Sequence, residues 1–237
     1  MDVTPICIKK LRIMSPGHVV YYTFLDACMD YYTSINTNFI ELTHKYQYFV
    51  LVSGTKDDQP YADFLRTILG PHTIYIESDQ NKMTRKFNLF REYLIANQDT
   101  YKNSVFCKID TDLVHYRSQE FQAIMRHLFN YDQRLFVGIQ GWGKYLRGGL
   151  NAIHYQSIVN LLPLPEDHDP FEFDVIFSSQ LQKQNLVNIY TFPTFEQDGQ
   201  IAKKYFATHI ISQRHNSKKV DQLKSLLQQL QVENITI

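Results

Sequence analysis

The sequence contains few cysteines, one tryptophan and no excess of charge of either sign. Its three cysteines are Cys7, Cys28 and Cys107, so their number is odd and no two form a Cys-x-x-Cys pair. Such a set predicts neither a disulfide scaffold nor a cysteine zinc site. A reducing compartment is the simplest interpretation of this cysteine usage.

Charge and hydropathy exclude further classes of protein. Lysine and arginine together number 24, as do aspartate and glutamate, so the chain has no net charge when histidine is neutral. This balance argues against a protein that binds nucleic acid or anionic lipid. The N-terminal region lacks a long apolar run, so we predict no signal peptide and no transmembrane segment. We expect a cytoplasmic protein, or one exported without a recognisable signal peptide.

The composition is sufficient for a hydrophobic core. Of its 237 residues, 44% are hydrophobic and 14% are aromatic, which is enough for a fully packed interior. No linker rich in proline, glycine or serine interrupts the sequence. We therefore expect one domain spanning residues 1–237.

Predicted strands and helices alternate through the first half. Strands are predicted at residues 6–14, 48–52, 73–76 and 104–109, and helices at 18–32, 61–69 and 82–97. This order predicts an α/β fold with a mainly parallel central sheet flanked by helices. Ligands of such sheets bind at the carboxyl ends of the strands, and Ser15, Ser53, Asp110 and Asp112 fall at predicted carboxyl ends.

Asp110 and Asp112 are the most informative residues, because they follow the apolar run 104–109. In an extended chain, alternate side chains share a face, so both carboxylates would point the same way. Two neighbouring carboxylates on the same face repel each other unless a cation lies between them. A hard divalent ion prefers oxygen ligands and can also hold a diphosphate, so the pair favours a metal–nucleotide site. The alternative is a solvated strand end, with Asp112 capping the next turn.

Gly148 and Gly149 form a second motif, ahead of a helix predicted over residues 152–162. A glycine pair lets a ligand approach the backbone closely, and a helix N-terminus favours negative charge. The alternative is a simple turn.

Asp174 lies in an aromatic and apolar stretch, Phe171-Glu-Phe-Asp-Val-Ile176, at the start of a predicted helix. A partly desolvated carboxylate has a raised pKa and is a better general base. The alternative is an acidic residue that stabilises the helix dipole.

Together the three motifs resemble those of GT-A-fold glycosyltransferases, and their order is most similar to that of the inverting, Fringe-like β-1,3 enzymes. Those enzymes have an Asp-containing triplet after a strand, then a glycine pair, then an acidic element ending in Asp-Val. The matching segments here are Asp110-Thr-Asp112, Gly148-Gly149 and Glu172-Phe-Asp174-Val175. Two features depart from the pattern: Phe173 separates the two acidic residues, and Ser178-Ser179 replaces an expected glycine.

The resemblance implies a role for each residue. Asp112, with Asp110, would hold Mn2+ or Mg2+ against the diphosphate of a nucleotide sugar, although Asp110 could instead reach the ribose. Asp174 would deprotonate the acceptor hydroxyl. His209 would be a further metal ligand, with His215 as the second candidate.

The resemblance also implies a division of the chain. Residues 1–112 would bind the nucleotide, with Ser15 and Arg85 or Lys86 among its contacts, and residues 113–237 would bind the acceptor. Trp142 lies between glycines and could stack on an acceptor sugar or anchor its loop.

The function implied is that of a metal-dependent hexosyltransferase, which moves a sugar from a UDP-sugar to a hydroxyl of a glycan, a lipid-linked sugar or a protein. Two alternatives stay open. One is an inactive glycosyltransferase fold used for binding. The other is a haloacid-dehalogenase-like phosphohydrolase, although that family has its Asp-x-Asp pair near the N-terminus.

Overall fold

The structure is a computed structural model that describes most of the chain. The described residues are 18–26, 37–54, 59–70, 73–77, 83–111, 113–115, 118–140, 145–165, 173–191, 196–198 and 207–209. The strand predicted at 6–14 lies outside these residues. Among the described residues, no helix is both long and apolar enough to span a membrane.

Strands and helices alternate along the described residues. The strands are β1 (Val19–Asp26), β2 (Tyr48–Gly54), β3 (Thr73–Glu77), β4 (Val105–Ile109), β5 (Leu113–His115), β6 (Leu135–Gln140), β7 (Leu146–His154), β8 (Asn188–Thr191), β9 (Glu196–Asp198) and β10 (Ala207–His209). The helices are α1 (Thr37–Lys45), α2 (Gln59–Leu69), α3 (Met83–Ala96), α4 (Gln98–Tyr101), α5 (Ser118–Tyr131), α6 (Tyr155–Asn160) and α7 (Phe173–Lys183).

Seven strands form one sheet, in the order β3-β2-β1-β4-β7-β6-β8. The first four are parallel to one another, β7 runs antiparallel to both β4 and β6, and β8 is parallel to β6. The predicted α/β fold with a mainly parallel sheet flanked by helices is therefore confirmed. Strands β5, β10 and β9 form a second, three-stranded sheet.

The order of the strands reverses between β1 and β4. From β1 the chain moves outward through β2 to β3, and it then returns to the other side of β1 to form β4. Crevices at such reversal points, outside the carboxyl ends of the strands, are where open α/β sheets bind ligands. The end of β4 is therefore the first place to look for a site.

Both faces of the large sheet are covered by aromatic and aliphatic side chains. Helices α1, α2 and α5 cover one face, with Phe39, Leu65, Phe121 and Met125 among the buried residues. Helices α3, α6 and α7 cover the other, with Phe87, Phe90, Ile158, Phe173 and Phe177. Burial on both faces explains why β2 and β4 are continuous apolar runs rather than alternating ones.

The helix predicted over residues 18–32 is wrong, because Val19–Asp26 is the central strand β1. Its described side chains, residues 19–25, are all buried, and they are β-branched or aromatic at most positions. Such residues favour strands, and hydrogen bonding to β2 and β4 on both sides fixes the extended form. Helix α1, which was not predicted, makes the connection to β2.

Candidate functional site

Asp110 emerges from the carboxyl end of β4, at the reversal point of the sheet. Its backbone N–H donates to the Gly149 carbonyl of β7 at 2.9 Å. Its carboxylate Oδ1 accepts a hydrogen bond from the Lys108 ammonium at 2.7 Å. The side chain of Asp110 is 29% exposed, whereas that of Lys108 is only 5% exposed. Asp110 is thus fixed at both its backbone and its carboxylate, with part of the side chain open to solvent.

Lys108 belongs to a row of polar side chains that crosses three adjacent strands. The register aligns Lys108 with Tyr22 of β1 and with Asn151 of β7. All three residues are buried. A buried ammonium group costs several kcal/mol unless a counter-charge compensates it, and the Asp110 carboxylate supplies that charge.

Tyr22 lies beside this ion pair, with its ring stacked on Phe90 at 5.1 Å between centroids. Its hydroxyl is buried and has no hydrogen-bond partner among the described residues. Burial raises the pKa of Tyr22 above its ordinary value, and the charges of Cys107, Asp174 and Asp110 raise the pKa further.

Asp174 is the second residue of α7, in its first turn, and it is partly exposed. The preceding residue, Phe173, packs on Phe24 of β1 and on Phe87 of α3, with ring centroids 6.0 and 5.8 Å apart. These contacts hold the amino end of α7 over the sheet face that carries Tyr22. Two of the acidic residues identified in the sequence, far apart in the chain, are thereby brought to the same side of the sheet.

Arg85 and Lys86 lie in the first turns of α3. Arg85 is partly exposed, whereas Lys86 is fully buried, with its Nζ 3.9 Å from Met83 Sδ. The nearby Asn88 has a structural role, because its side-chain amide donates to the Leu164 carbonyl and accepts from the Leu164 N–H at 2.9 and 2.8 Å.

The glycine pair has a different local structure from the one predicted. Gly148 and Gly149 lie within β7, and the chain stays extended to His154 before the short helix α6 begins. Residues 150–154 pair with β4, and parts of β7 also pair with β6, so both edges of the strand are hydrogen-bonded. The prediction that these glycines open a helix is wrong, and the anion-binding argument based on a helix N-terminus does not apply to them.

The remaining predicted site residues are placed only in part. Ser15, Asp112, Trp142 and His215 lie outside the described residues. Ser15 precedes β1 in the sequence, since that strand begins at Val19. His209 is in β10, where the register aligns it with Leu113, the residue after Asp112. Within the described ranges, no group of three His, Cys, Asp or Glu side chains could hold a metal ion.

Sequence reasoning missed Lys108 and Tyr22. A signal for Lys108 was present, since a lysine inside the apolar run Val105–Ile109 cannot be buried without a counter-charge. In a strand, residues 108 and 110 share a face, so Asp110 was the predictable partner. Tyr22 carried no such signal, because its segment was predicted to be helical.

Comparisons with known proteins add structural resemblances. No protein-family model matches the sequence, and the search of curated proteins found no match. One similar solved structure is that of a protein assigned as a glucose-1-phosphate thymidylyltransferase from Bacillus anthracis, in complex with sucrose. It has a TM-score of 0.43 and 9% identity, over 73% of this chain and 87% of that one.

Another similar structure is that of an active-site mutant of LgtC, with a TM-score of 0.43 and 10% identity. The match covers 81% of this chain and 87% of that one. A TM-score below 0.5 at such identities does not establish a shared function.

Proposed function

We propose that this chain is a metal-dependent glycosyltransferase of the GT-A type, which moves a sugar from a nucleotide diphosphate sugar to a hydroxyl acceptor. The observation that carries the proposal is the position of Asp110. It leaves β4 beside β1, at the point where the order of the described parallel strands reverses. That point is where an open α/β sheet binds a nucleotide, and the Asp-x-Asp pair begins there.

The donors around this point suit Mn2+ or Mg2+. Asp110 and Asp112 supply carboxylate oxygens, the ligands that hard divalent ions prefer. The pairing of β10 with β5 aligns the backbone of His209 with Leu113, next to Asp112, and imidazole is an acceptable additional ligand for Mn2+. A bound ion would neutralise charge on the leaving diphosphate.

The Lys108 contact separates the roles of the two aspartates. Oδ1 of Asp110 already accepts from a buried ammonium group, which reduces the negative charge available to a metal. In this proposal Asp112 is the principal metal ligand, and Asp110 accepts a hydrogen bond from the ribose. The UDP-sugar donor, with a hexose as the group transferred, follows from the resemblance of the motifs.

Asp174 is the proposed general base for a single displacement with inversion. Its position in the first turn of α7, whose amino end packs over the sheet face that carries Tyr22, supports this role. It would accept the proton of the attacking hydroxyl. That hydroxyl would belong to a glycan, a lipid-linked sugar or a protein.

A turnover assay tests the proposal. The protein is incubated with a panel of UDP-sugars and candidate acceptors, with Mn2+ or with EDTA, and both UDP and inorganic phosphate are measured. We expect release of UDP that requires Mn2+, without release of phosphate. Phosphate release from an added phosphomonoester such as p-nitrophenyl phosphate, with the UDP-sugar left intact, would indicate a phosphohydrolase. UDP binding without turnover would indicate a binding module.

A further inference from the structure

On the face of the sheet opposite Lys108, Tyr21 of β1 contacts His115, the last residue of β5. Tyr21 Oη lies 3.2 Å from His115 Nε2. Both side chains are almost wholly buried, at 0% and 1% exposure. The ring of His115 also stands perpendicular to that of Phe121, with centroids 5.0 Å apart.

Tyr21 is itself held by its neighbours. Its ring lies within 6 Å of those of Tyr46 and Tyr48 and stacks on Phe121 at 6.3 Å. Tyr46 in turn bonds to Ser118, at the start of α5, through oxygens 2.8 Å apart. The side chains of His115 and Ser118, which follow Asp112 in the sequence, therefore contact tyrosines that pack against the sheet.

The chain that precedes Asp112 is attached as well. The backbone N–H of Asp110 donates a hydrogen bond to the Gly149 carbonyl, and its carboxylate accepts one from the Lys108 ammonium group. Asp110 and His115, which flank Asp112 in the sequence, are thus held on opposite faces of the same sheet. Strand β5 has three residues and pairs with β10, and the Tyr21 contact joins its last residue to the large sheet.

Fixing a residue in one backbone conformation costs conformational entropy, and a ligand that orders a loose segment must supply that free energy when it binds. We infer that the Tyr21–His115 contact anchors the segment that carries Asp112, and that His115 is a positioning residue for metal binding. This inference rests on the proposed function, because it takes Asp112 as the metal ligand.

Four variants test the anchor. His115→Phe keeps an aromatic ring and removes Nε2, Tyr21→Phe removes only the hydroxyl, and the double variant removes both. His115→Gln is the rescue, because its side-chain amide can reach Tyr21. The matched control is His154→Asn, since His154 is also buried but lies at the opposite end of the strands, aligned with Val105 at the start of β4.

The measurement is the Mn2+ concentration that gives half-maximal UDP binding in calorimetry, with thermal unfolding as a check on folding. We expect this concentration to rise roughly tenfold in His115→Phe and in Tyr21→Phe, the size of effect seen when groups that orient metal ligands are removed. The double variant should lose no more than either single one, because the two groups form one contact. His115→Gln and His154→Asn should bind Mn2+ nearly as the wild type does.

The outcomes separate the two claims. If the wild type binds UDP with Mn2+ and both single variants keep its Mn2+ dependence, the anchor is refuted and the proposed function stands. If the wild type shows no Mn2+-dependent UDP binding, the proposed function is refuted, and the inference with it. Should His115→Phe fail to fold, Tyr21→Phe still decides the question, because it deletes a single oxygen.

Discussion

The ammonium group of Lys108 and the carboxylate of Asp110 form a 2.7 Å ion pair at the carboxyl end of β4. Lysine is the more deeply buried partner, at 5% side-chain exposure against 29% for the aspartate. This asymmetry decides what each substitution should do. Removing Asp110 takes a counter-charge away from the buried ammonium group of Lys108. Removing Lys108 instead leaves the Asp110 carboxylate, which water can reach.

We therefore expect Asp110→Asn to lower the free energy of unfolding more than Lys108→Met does. Breaking a buried pair costs about 3–5 kcal/mol, and we expect Asp110→Asn to approach the lower end and Lys108→Met to cost roughly half of that. Urea unfolding measures both changes. Equal losses, or a larger loss for Lys108→Met, would contradict the burial argument.

His154 should make stability depend on pH. Burial lowers the pKa of His154 from 6.5 to about 4, and its side chain accepts a hydrogen bond from the Gln156 N–H that caps α6. As the pH falls below 6.5, the unfolded chain takes up a proton that the folded chain does not, so stability falls until about pH 4. Over this window the loss would be roughly 3 kcal/mol.

The control for this pH effect is His154→Asn, which can still cap the helix but does not titrate. The free energy of unfolding is measured for the wild type and for His154→Asn from pH 7 to pH 4. The difference between the two proteins should change by up to about 3 kcal/mol over this range. A difference that stays constant with pH would show that His154 is protonated equally in both states.

Tyr22 and Tyr48 offer a matched comparison of two buried hydroxyl groups. Tyr48 donates to the Ile109 carbonyl at 3.3 Å, whereas the Tyr22 hydroxyl has no partner among the described residues. We expect Tyr48→Phe to lose about 1 kcal/mol of stability, and Tyr22→Phe to lose nothing or to gain stability. Thermal unfolding of both variants gives the answer. A loss of 1 kcal/mol or more in Tyr22→Phe would reveal a partner for this hydroxyl.

Asp174→Asn should separate catalysis from binding. If Asp174 is the base, the amide should reduce kcat by roughly 10²- to 10⁴-fold, while the affinity for UDP and Mn2+ stays unchanged. Val175→Ala is a suitable control, because Val175 is the neighbouring, exposed residue of α7. A variant Asp174→Asn with full turnover would remove the residue from the proposed mechanism.

Much of the fold followed from the sequence, because β2, β3 and β4 are short apolar runs between helices of clear amphipathic pattern. Strand β1 did not, since its segment is apolar at nearly every position and has no period that separates strand from helix. The glycines of β7 resemble a turn locally, but residues on both sides of them pair with β4 and β6, which are distant in the chain.

For the site, the sequence predicted the position of Asp110 at the end of a buried strand, because the strand itself was recognisable. The contacts of Tyr22 and His115 could not be predicted, since they depend on which strands become neighbours. Lys108 is the intermediate case, in which the burial of the run and the two-residue spacing to Asp110 together implied the ion pair.

The most direct test of the metal–nucleotide site is the affinity for UDP, measured by calorimetry with and without Mn2+. The wild type is compared with Asp112→Asn and with Asp99→Asn, a control at an exposed aspartate whose only described ion pair is with the exposed Lys102. The account predicts tight binding that requires Mn2+, is lost in Asp112→Asn and persists in Asp99→Asn. Absence of UDP binding under both conditions, or binding that survives Asp112→Asn unchanged, would contradict it.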